Sequence, residues 1–198
     1  SLADGPKLAE SVAAFVRSKA ESVRILPLGR RANMFGALDM GLAPDLLPGR
    51  IGVDSIGCAN LAESWGDIPT TPGKDTASIL EALDSGEIRC LFLVGADPVN
   101  DMPDRPLASN ALEAGEYVVA IDLFINDSNR NADVILPARS FAEKEGTVTN
   151  IEGRVQKVNV ITPGPGQSRA DWSILADIAE RVGRPIALRS ADAIAKEI

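Results

Sequence analysis

The densest group of chemically capable side chains lies between residues 143 and 156. Three carboxylates stand close together there: Glu143, Glu145 and Glu152. Carboxylates grouped in this way can act as general acids and bases. Lys144 and Arg154 are interleaved with them, however, which favours a solvated, ion-paired set. A segment this polar that follows a hydrophobic strand is typical of a strand's carboxyl end, where α/β sheets bind ligands.

Phosphate-binding groups are the next candidates. Arg130, Arg139 and Arg154 each carry the guanidinium that binds phosphate well, although pairing with surface carboxylates is the simpler expectation. Two glycine-containing stretches, GPGQSR (Gly164–Arg169) and PGKDT (Pro72–Thr76), lack the preceding strand or the glycine spacing of a phosphate loop. Both are therefore predicted to be turns that lead into helices.

Two acidic residues follow predicted strands. Gly95, Asp97 and Pro98 come directly after one hydrophobic stretch, and Asp122 ends the next. A glycine at such a position lets a ligand approach the backbone, and an acidic side chain there can bind a ribose hydroxyl. Asp-Pro turns and caps use the same residue types. Both interpretations stay open on the residues alone.

Composition excludes several kinds of chemistry. The chain has no histidine and two cysteines, Cys58 and Cys90, that form no Cys-x-x-Cys motif. Serine and cysteine triads, zinc ribbons and iron–sulfur sites have no support, and we expect neither a metal site nor a catalytic residue. The net charge of -8 disfavours a nucleic-acid partner, which requires a basic surface. The longest apolar run, Cys90–Ala96, is far below the roughly 18 residues of a membrane-spanning helix, so no membrane insertion is expected.

Periodicity and capping signals place the secondary structure. Helices are predicted at Pro6–Ala20, Thr76–Ser85, Pro106–Ala114, Ser168–Val182 and from Ser190 onward. Strands are predicted at Val23–Leu28, Cys90–Val94, Tyr117–Ile121 and Val134–Leu136, with an extended arm or hairpin at residues 146–160. The alternation of strands and helices predicts an α/β fold, with a parallel sheet and helices on both faces.

Some segments carry sharper expectations. The unbroken apolar stretch Cys90–Val94 predicts a strand buried on both faces. Ser168 and Asp171 predict a capping box for the last long helix. The apolar face of that helix is predicted to consist of Trp172, Leu175, Ile178, Ala179 and Val182. Residues 30–72, rich in glycine and proline, predict a long irregular segment. Residues 1–198 are expected to form one α/β domain of a longer polypeptide.

Four blocks of sequence occur in order across nearly the whole chain. They are GRRANMFGALDMGLAPDLLPG (Gly29–Gly49), LFLVGADPVNDMPD (Leu91–Asp104), ADVILPARSFAEKEGTVTNIEGRVQ (Ala132–Gln156) and SRADWSILADIAERVG (Ser168–Gly183). Together they resemble the carboxyl-side α/β region of the molybdopterin oxidoreductase family, and the third block is the most specific. That family includes formate dehydrogenases and the large iron–sulfur subunit of NADH-quinone oxidoreductase (respiratory complex I), which the chain most resembles.

The resemblance implies a Rossmann-like fold around a molybdopterin guanine dinucleotide. It assigns Gly95, Asp97 and Pro98 to the family's Gly-x-Asn-Pro cofactor loop. It assigns Asp122 to the acidic residue at the next strand end. The residues that it assigns to the Glu-x-x-Gly-Thr loop are Gly146, Thr147, Asn150 and Gly153.

The same blocks depart from the family at cofactor positions. Asp97 stands where asparagine is usual. Formate dehydrogenases read Arg-Gly and then Asn-Asn-Val-Gln-Gly in the first block. Asn33 and Gly36 match that pattern, whereas Phe35 replaces the glutamine. Gly29 falls at the position of the catalytic arginine. These departures predict vestigial cofactor positions and no cofactor within this chain.

The resemblance therefore implies a non-catalytic, structural domain of the large iron–sulfur subunit of NADH-quinone oxidoreductase. The parent would carry electrons from NADH toward quinone through iron–sulfur clusters. Its partners would be other domains and subunits of the respiratory complex, and it would be cytoplasmic and peripheral to the inner membrane. One alternative is a cofactor-binding domain of a molybdenum- or tungsten-dependent formate dehydrogenase, which would hold molybdopterin guanine dinucleotide. Another is a nucleotide-binding module unrelated to redox chemistry.

Overall fold

A computed structural model describes residues 6–19, 29, 31–54, 57–187 and 189–197 of the chain. Its contacts separate two compact units, Ser1–Ala32 and Asn33–Ile198. The expectation that residues 1–198 form one domain stays a prediction. The predicted strand Val23–Leu28 lies outside the described residues.

The first unit contains helix α1 (Pro6–Lys19), close to its predicted bounds. Arg17 and Lys19 lie in its last turn, where cations interact favourably with the helix dipole. The Lys19 ammonium also lies 5.4 Å from the centre of the Phe15 ring. Val12 and Phe15 are both exposed on this helix.

The second unit contains the remaining elements. In chain order they are α2 (Met34–Asp39), β1 (Leu46–Leu47), β2 (Ile51–Gly52), α3 (Cys58–Trp65), α4 (Thr76–Asp84), β3 (Cys90–Val94), α5 (Pro98–Asp101), α6 (Arg105–Ala114), β4 (Tyr117–Asp122), β5 (Val134–Pro137), β6 (Gly146–Thr149), β7 (Val155–Val158), α7 (Asp171–Arg181) and α8 (Ala191–Glu197). None of the described helices has both the length and the apolar character needed to traverse a lipid bilayer.

The central sheet has the strand order β3-β4-β5 and is parallel throughout. Successive side chains of a strand point to opposite faces. One face packs against α4 and α6, through clusters that include Leu83, Leu93 and Leu112. The opposite face packs against α7, where Ile174 contacts Ile121. Helices thus cover both faces of a parallel sheet, which confirms the predicted α/β fold.

Strand β3 differs from its prediction. Leu93 is buried, but Phe92 and Val94, which point to the other face, are exposed. The reason is position, because β3 lies at the edge of the described sheet and α7 packs over β4 and β5. The strand that is buried on both faces is β4, in which Val118 to Ile121 are all buried.

Helix α7 begins later than predicted, and the capping box does not form. Its N-cap is Ala170, and no side chain caps it. Arg169 N donates to Pro137 O at 3.1 Å and Arg139 N donates to Arg169 O at 2.9 Å, so this segment runs extended beside β5. Ser168 therefore lies outside the helix and does not cap it. The predicted apolar face is also partly wrong, since Val182 lies beyond the helix end and is exposed.

Residues 30–72 hold more regular structure than their composition indicates. Helices α2 and α3 and the two-residue strands β1 and β2 all form there. These elements are too short for a periodic pattern to reveal them. Arg50, in the turn between β1 and β2, adopts a left-handed φ of 57°. Its Nε donates to Asp39 Oδ1 at 2.6 Å, and its guanidinium lies over the Phe35 ring.

Strands β6 and β7 form an antiparallel hairpin, with Gly146 opposite Val158 and Thr149 opposite Val155. Asn150 makes the turn, because its Oδ1 accepts from Glu152 N at 3.0 Å and from Arg154 N at 2.9 Å.

Candidate functional site

Two of the predicted acidic residues lie at the same edge of the sheet, where β3 and β4 end, which we call the carboxyl edge. Gly95 N donates to Ile121 O at 2.9 Å and so extends the ladder by one residue, which puts Gly95 beside Asp122. Gly95 has a φ of 57°, which glycine adopts without steric cost. The chain turns there, and Asp97 and Pro98 begin α5.

Both carboxylate oxygens of Asp97 accept hydrogen bonds from protein side chains. Ser128 Oγ donates to Oδ1 at 2.5 Å, and Asn100 Nδ2 donates to Oδ2 at 2.8 Å. Ser128 is buried and also accepts from Val99 N at 2.9 Å. Burial acts to raise the pKa of Asp97, but the hydrogen bonds from Ser128 and Asn100 outweigh it and hold the pKa below its usual range. Asp97 is therefore a charged structural acceptor at neutral pH.

The Asp122 carboxylate is bound in the same way by residues 123–130, which we call the edge loop. Its Oδ1 accepts from Leu123 N at 2.6 Å. Its Oδ2 accepts from Asn126 Nδ2 at 3.0 Å and from Asn129 Nδ2 at 3.1 Å. Asn129 is fully buried and fixes the loop, since its amide also donates to Phe124 O and accepts from Asn126 N.

All four carboxylate oxygens of this pair therefore have protein donors. A carboxylate has about four acceptor sites, so a nucleotide at this edge would share Asp97 and Asp122 with these protein donors. The residues whose side chains bind these carboxylates, Asn126, Ser128 and Asn129, were not among the predicted site residues. The signal was available, because Asn-Asp-Ser-Asn just after a strand is a turn composition whose side chains bind nearby backbone.

The second predicted group lies on the β6–β7 hairpin. Gly146 and Thr147 line a cleft of about 220 Å³ with Met40, Trp172 and residues of α8. Asn150 does not line this cleft, because it serves the hairpin turn.

The first and third sequence blocks meet at Asn33. Its Oδ1 accepts from Thr149 N at 2.9 Å, across a separation of 116 residues. Thr149 is buried, so its backbone N–H needs an acceptor within the protein. Gly36 makes room for the Asn33 side chain, because a Cβ at residue 36 would lie 2.2 Å from Asn33 Oδ1. These two matched positions join α2 to the hairpin.

The structure does not bring the two groups together. Asp97 and Pro98 line a separate cleft of about 330 Å³ between α4 and β3. No hydrogen bond among the described residues joins Asp97 or Asp122 to Gly146 or Thr147.

Two of the three carboxylates of residues 143–152 are engaged locally, and Glu145 lines the hairpin cleft. Glu143 Oε2 accepts from Ser140 N at 2.9 Å, and Glu152 pairs with Arg154 at 3.1 Å. Lys144 pairs with Asp171 at the start of α7. This arrangement supports the ion-paired interpretation over an acid–base site. Within the described part of the chain, no three His, Cys, Asp or Glu side chains are grouped to hold a metal.

The candidate arginines are likewise engaged. Arg130 pairs with Asp127 at 2.6 Å. Arg139 Nε donates to Ser168 O at 3.1 Å, and Gly164 packs against both residues. The hydroxyl of Ser168 is buried without a partner among the described residues.

Comparison with known proteins identifies the family. The sequence profile described as molybdopterin oxidoreductase matches residues 6–181. The chain belongs to the molybdopterin oxidoreductase family. Among solved structures, this molybdopterin oxidoreductase domain resembles acetylene hydratase from Pelobacter acetylenicus, with a TM-score of 0.52 and 17% identity over 58% of this chain and 16% of that chain. That likeness concerns the fold alone.

The curated relatives of the domain have different activities in their names. NADPH-Fe(3+) oxidoreductase subunit alpha of Geobacter sulfurreducens is 33% identical over 88% of the chain and 20% of the relative. The G 2 subunit of NADH-quinone oxidoreductase of Rhizobium meliloti is 37% identical over 79% of the chain and 18% of the relative. F420-dependent formate dehydrogenase 1 subunit alpha of Methanococcus maripaludis is 33% identical over 80% of the chain and 23% of the relative. The chain thus spans about a fifth of the length of these relatives.

Proposed function

We propose that this chain is a non-catalytic domain of the large iron–sulfur subunit of an NADH-quinone oxidoreductase. Its role is to give that subunit bulk, shape and contact surface. The parent carries electrons from NADH toward quinone through iron–sulfur clusters that lie outside this chain. Other domains and subunits of the respiratory complex are its partners, and the parent is cytoplasmic and peripheral to the inner membrane.

The observation that carries this proposal is the engagement of Asp97 and Asp122. Their four carboxylate oxygens accept hydrogen bonds from the edge loop and from Asn100. These hydrogen bonds give both carboxylates a structural role in the fold, which supports a structural function for this edge. The G 2 subunit of Rhizobium meliloti, 37% identical to the chain, is one of several relatives with different activities in their names.

The second candidate is a cofactor-binding domain of a molybdenum- or tungsten-dependent formate dehydrogenase. One observation favours it, because Gly146 and Thr147 line an open cleft. The 33% identity to a formate dehydrogenase subunit alpha supports it as well. In this case the parent would hold molybdopterin guanine dinucleotide. The residues of the hairpin, rather than Asp97, would be its first contacts.

The decisive experiment is elemental analysis of the native full-length parent for molybdenum, tungsten and iron. The proposal expects iron without molybdenum or tungsten. Molybdenum or tungsten near one atom per polypeptide would overturn it and support the formate dehydrogenase candidate. A nucleotide-binding module unrelated to redox chemistry predicts neither iron nor molybdenum, together with saturable binding of GDP by calorimetry.

A further inference from the structure

Three consecutive large apolar side chains stand at one end of the edge loop. Leu123, Phe124 and Ile125, which we call the apolar tip, are 47%, 78% and 73% exposed. Single exposed apolar residues are ordinary on protein surfaces. Three in succession expose on the order of 400 Å², which is the size of patch that is often functional on a monomer.

The backbone of the apolar tip is fixed by polar side chains, of which Asn129 is fully buried. Asp122 Oδ1 holds Leu123 N at 2.6 Å, and Asn129 Nδ2 donates to Phe124 O at 3.0 Å. Just after the tip, Asn126 N donates to Asn129 Oδ1 at 2.9 Å. A loop ordered in advance loses little conformational entropy when it binds. The tip is therefore built as a preorganised contact element.

The area of the tip favours another domain of the same polypeptide over a second copy as its partner. Two copies that met through this patch would bury roughly 800 Å² in total, below the about 1,200 Å² of a stable specific interface. Domains of one polypeptide can pack through smaller contacts, because the linker keeps the effective concentration of the partner surface in about the millimolar range. The chain spans about a fifth of its relatives, so most of such a polypeptide is available as the partner.

Charge disfavours a lipid surface as the occupant. The tip follows Asp122 directly, and the chain has a net charge of -8. Anionic membrane surfaces repel such a region.

We propose that the apolar tip docks into an apolar surface of another domain of the same parent polypeptide. This inference rests on the proposed function in one respect, namely that the chain serves as a contact domain of a longer parent. It adds the surface through which that contact is made.

Photocrosslinking in the native full-length parent tests the proposal. The photoreactive residue p-benzoylphenylalanine replaces Phe124, which preserves an aromatic side chain. The matched control carries the same residue at Val182, another exposed apolar position that lies beyond the end of α7. Mass spectrometry of the adducts then identifies the occupant.

The expected result is an adduct from position 124 to a peptide of the same polypeptide outside this domain, and no such adduct from position 182. A crosslinked species of twice the parent mass on a denaturing gel, or an adduct to another subunit or to lipid, would each overturn the proposal. So would an adduct pattern at position 124 that matches the control.

A second measurement uses Ile125→Asp in the parent, with Val182→Asp as its control. Hydrogen exchange in the segment that crosslinks to the tip should become roughly 10- to 100-fold faster, as the loss of one buried large apolar side chain predicts. Unchanged exchange in β4 would show that this domain still folds. Metal content is recorded separately, because the two proposals can fail independently. Molybdenum in the parent would refute the proposed function but not the docking of the tip. An unchanged exchange rate would refute the docking but not the proposed function.

Discussion

The carboxyl edge and the β6–β7 hairpin both hold residues that the family resemblance assigns to a cofactor, yet the fold uses them differently. At the edge, Asp97 and Asp122 are acceptors for one short loop, with Asn129 fully buried at its centre. Every carboxylate oxygen there accepts a protein hydrogen bond, although Asp97 also lines a cleft of about 330 Å³. The hairpin residues Gly146 and Thr147 line a different cleft, of about 220 Å³.

This contrast shows that a matched motif has to be interpreted together with its neighbours. At the edge, the departure of Asp97 from the usual asparagine accompanies a charged acceptor that binds Ser128. At the hairpin, the matched Asn33 and Gly36 hold the strand that carries Thr147 and Thr149. Substitutions should therefore be costly at the edge, moderate at the α2–hairpin contact and silent on the exposed side of the hairpin.

The largest effect is expected for Asn129→Ala. The change leaves Phe124 O and Asn126 N without their partner and removes a donor from Asp122. Buried polar groups left unpaired cost about 1–3 kcal/mol each, and we expect a loss of about 3 kcal/mol in the free energy of unfolding. Urea denaturation measures it. The control is Asn131→Ala at an exposed position of the same segment, and an equal loss there would contradict the special role of the edge loop.

Ser128→Ala should cost about 2 kcal/mol, because Val99 N and Asp97 both lose a buried partner. The loss should also depend on pH. The folded pKa of Asp97 lies below its unfolded value of about 3.9. This stabilisation is therefore complete above that value and disappears as the pH falls through the folded pKa. The difference in urea midpoint between wild type and variant should narrow as the pH falls below about 3.9, leaving the part that is due to Val99 N. A gap that stays constant with pH would contradict the assigned role of Asp97.

Gly36→Ala tests the α2–hairpin contact. A Cβ at residue 36 would displace the Asn33 amide and leave Thr149 N buried without an acceptor. Better helix propensity offsets part of this cost, so we expect a net loss of about 1 kcal/mol. The control is Gly146→Ala, where a Cβ would meet no atom within 4 Å. Thermal unfolding should give a lower melting temperature for Gly36→Ala than for Gly146→Ala. Equal melting temperatures would show that the contact contributes little to stability.

Lys157→Ala should change stability least. Its ammonium joins the hairpin to α8 through Asp192, with Nζ 2.9 Å from Oδ1, but both side chains are exposed. Exposed pairs contribute little and are screened by salt. The urea midpoint of the variant should match that of wild type in physiological salt. A clear decrease would mean that α8 is held on the hairpin mainly by charge.

Much of the architecture could be predicted because it depends on local signals. Strand β3 has its predicted bounds, α4 begins just after Asp75, and Ser190 caps α8 by accepting from Ala193 N. Other features depend on tertiary contacts that no local pattern encodes. Ser168 is an obvious capping residue by sequence, yet the pairing of Arg169 with β5 removes it from α7. In the same way, the half-covered state of β3 depends on where α7 happens to lie.

In the candidate site, too, some features could be predicted from the sequence and others could not. That Asp97 and Asp122 share one edge follows from parallel strands, so it could be predicted. That Ser128 and Asn129 engage their carboxylates requires the path of the edge loop, which no spacing rule supplies. The bond from Thr149 N to Asn33 joins residues too distant in sequence for local reasoning to pair them.

That bond also bears on the order in which the molecule assembles. The sheet and its crossover helix are built from one contiguous stretch, β3 to β5, whereas the link from Asn33 to Thr149 spans 116 residues. Long closures are entropically costly and slow to form. During synthesis, Asn33 leaves the ribosome well before its partner exists, and at roughly 5–20 residues per second the wait lasts many seconds. Helix α2 must spend that interval without the hairpin that holds it in the finished fold, and during that time it is open to chaperones and proteases.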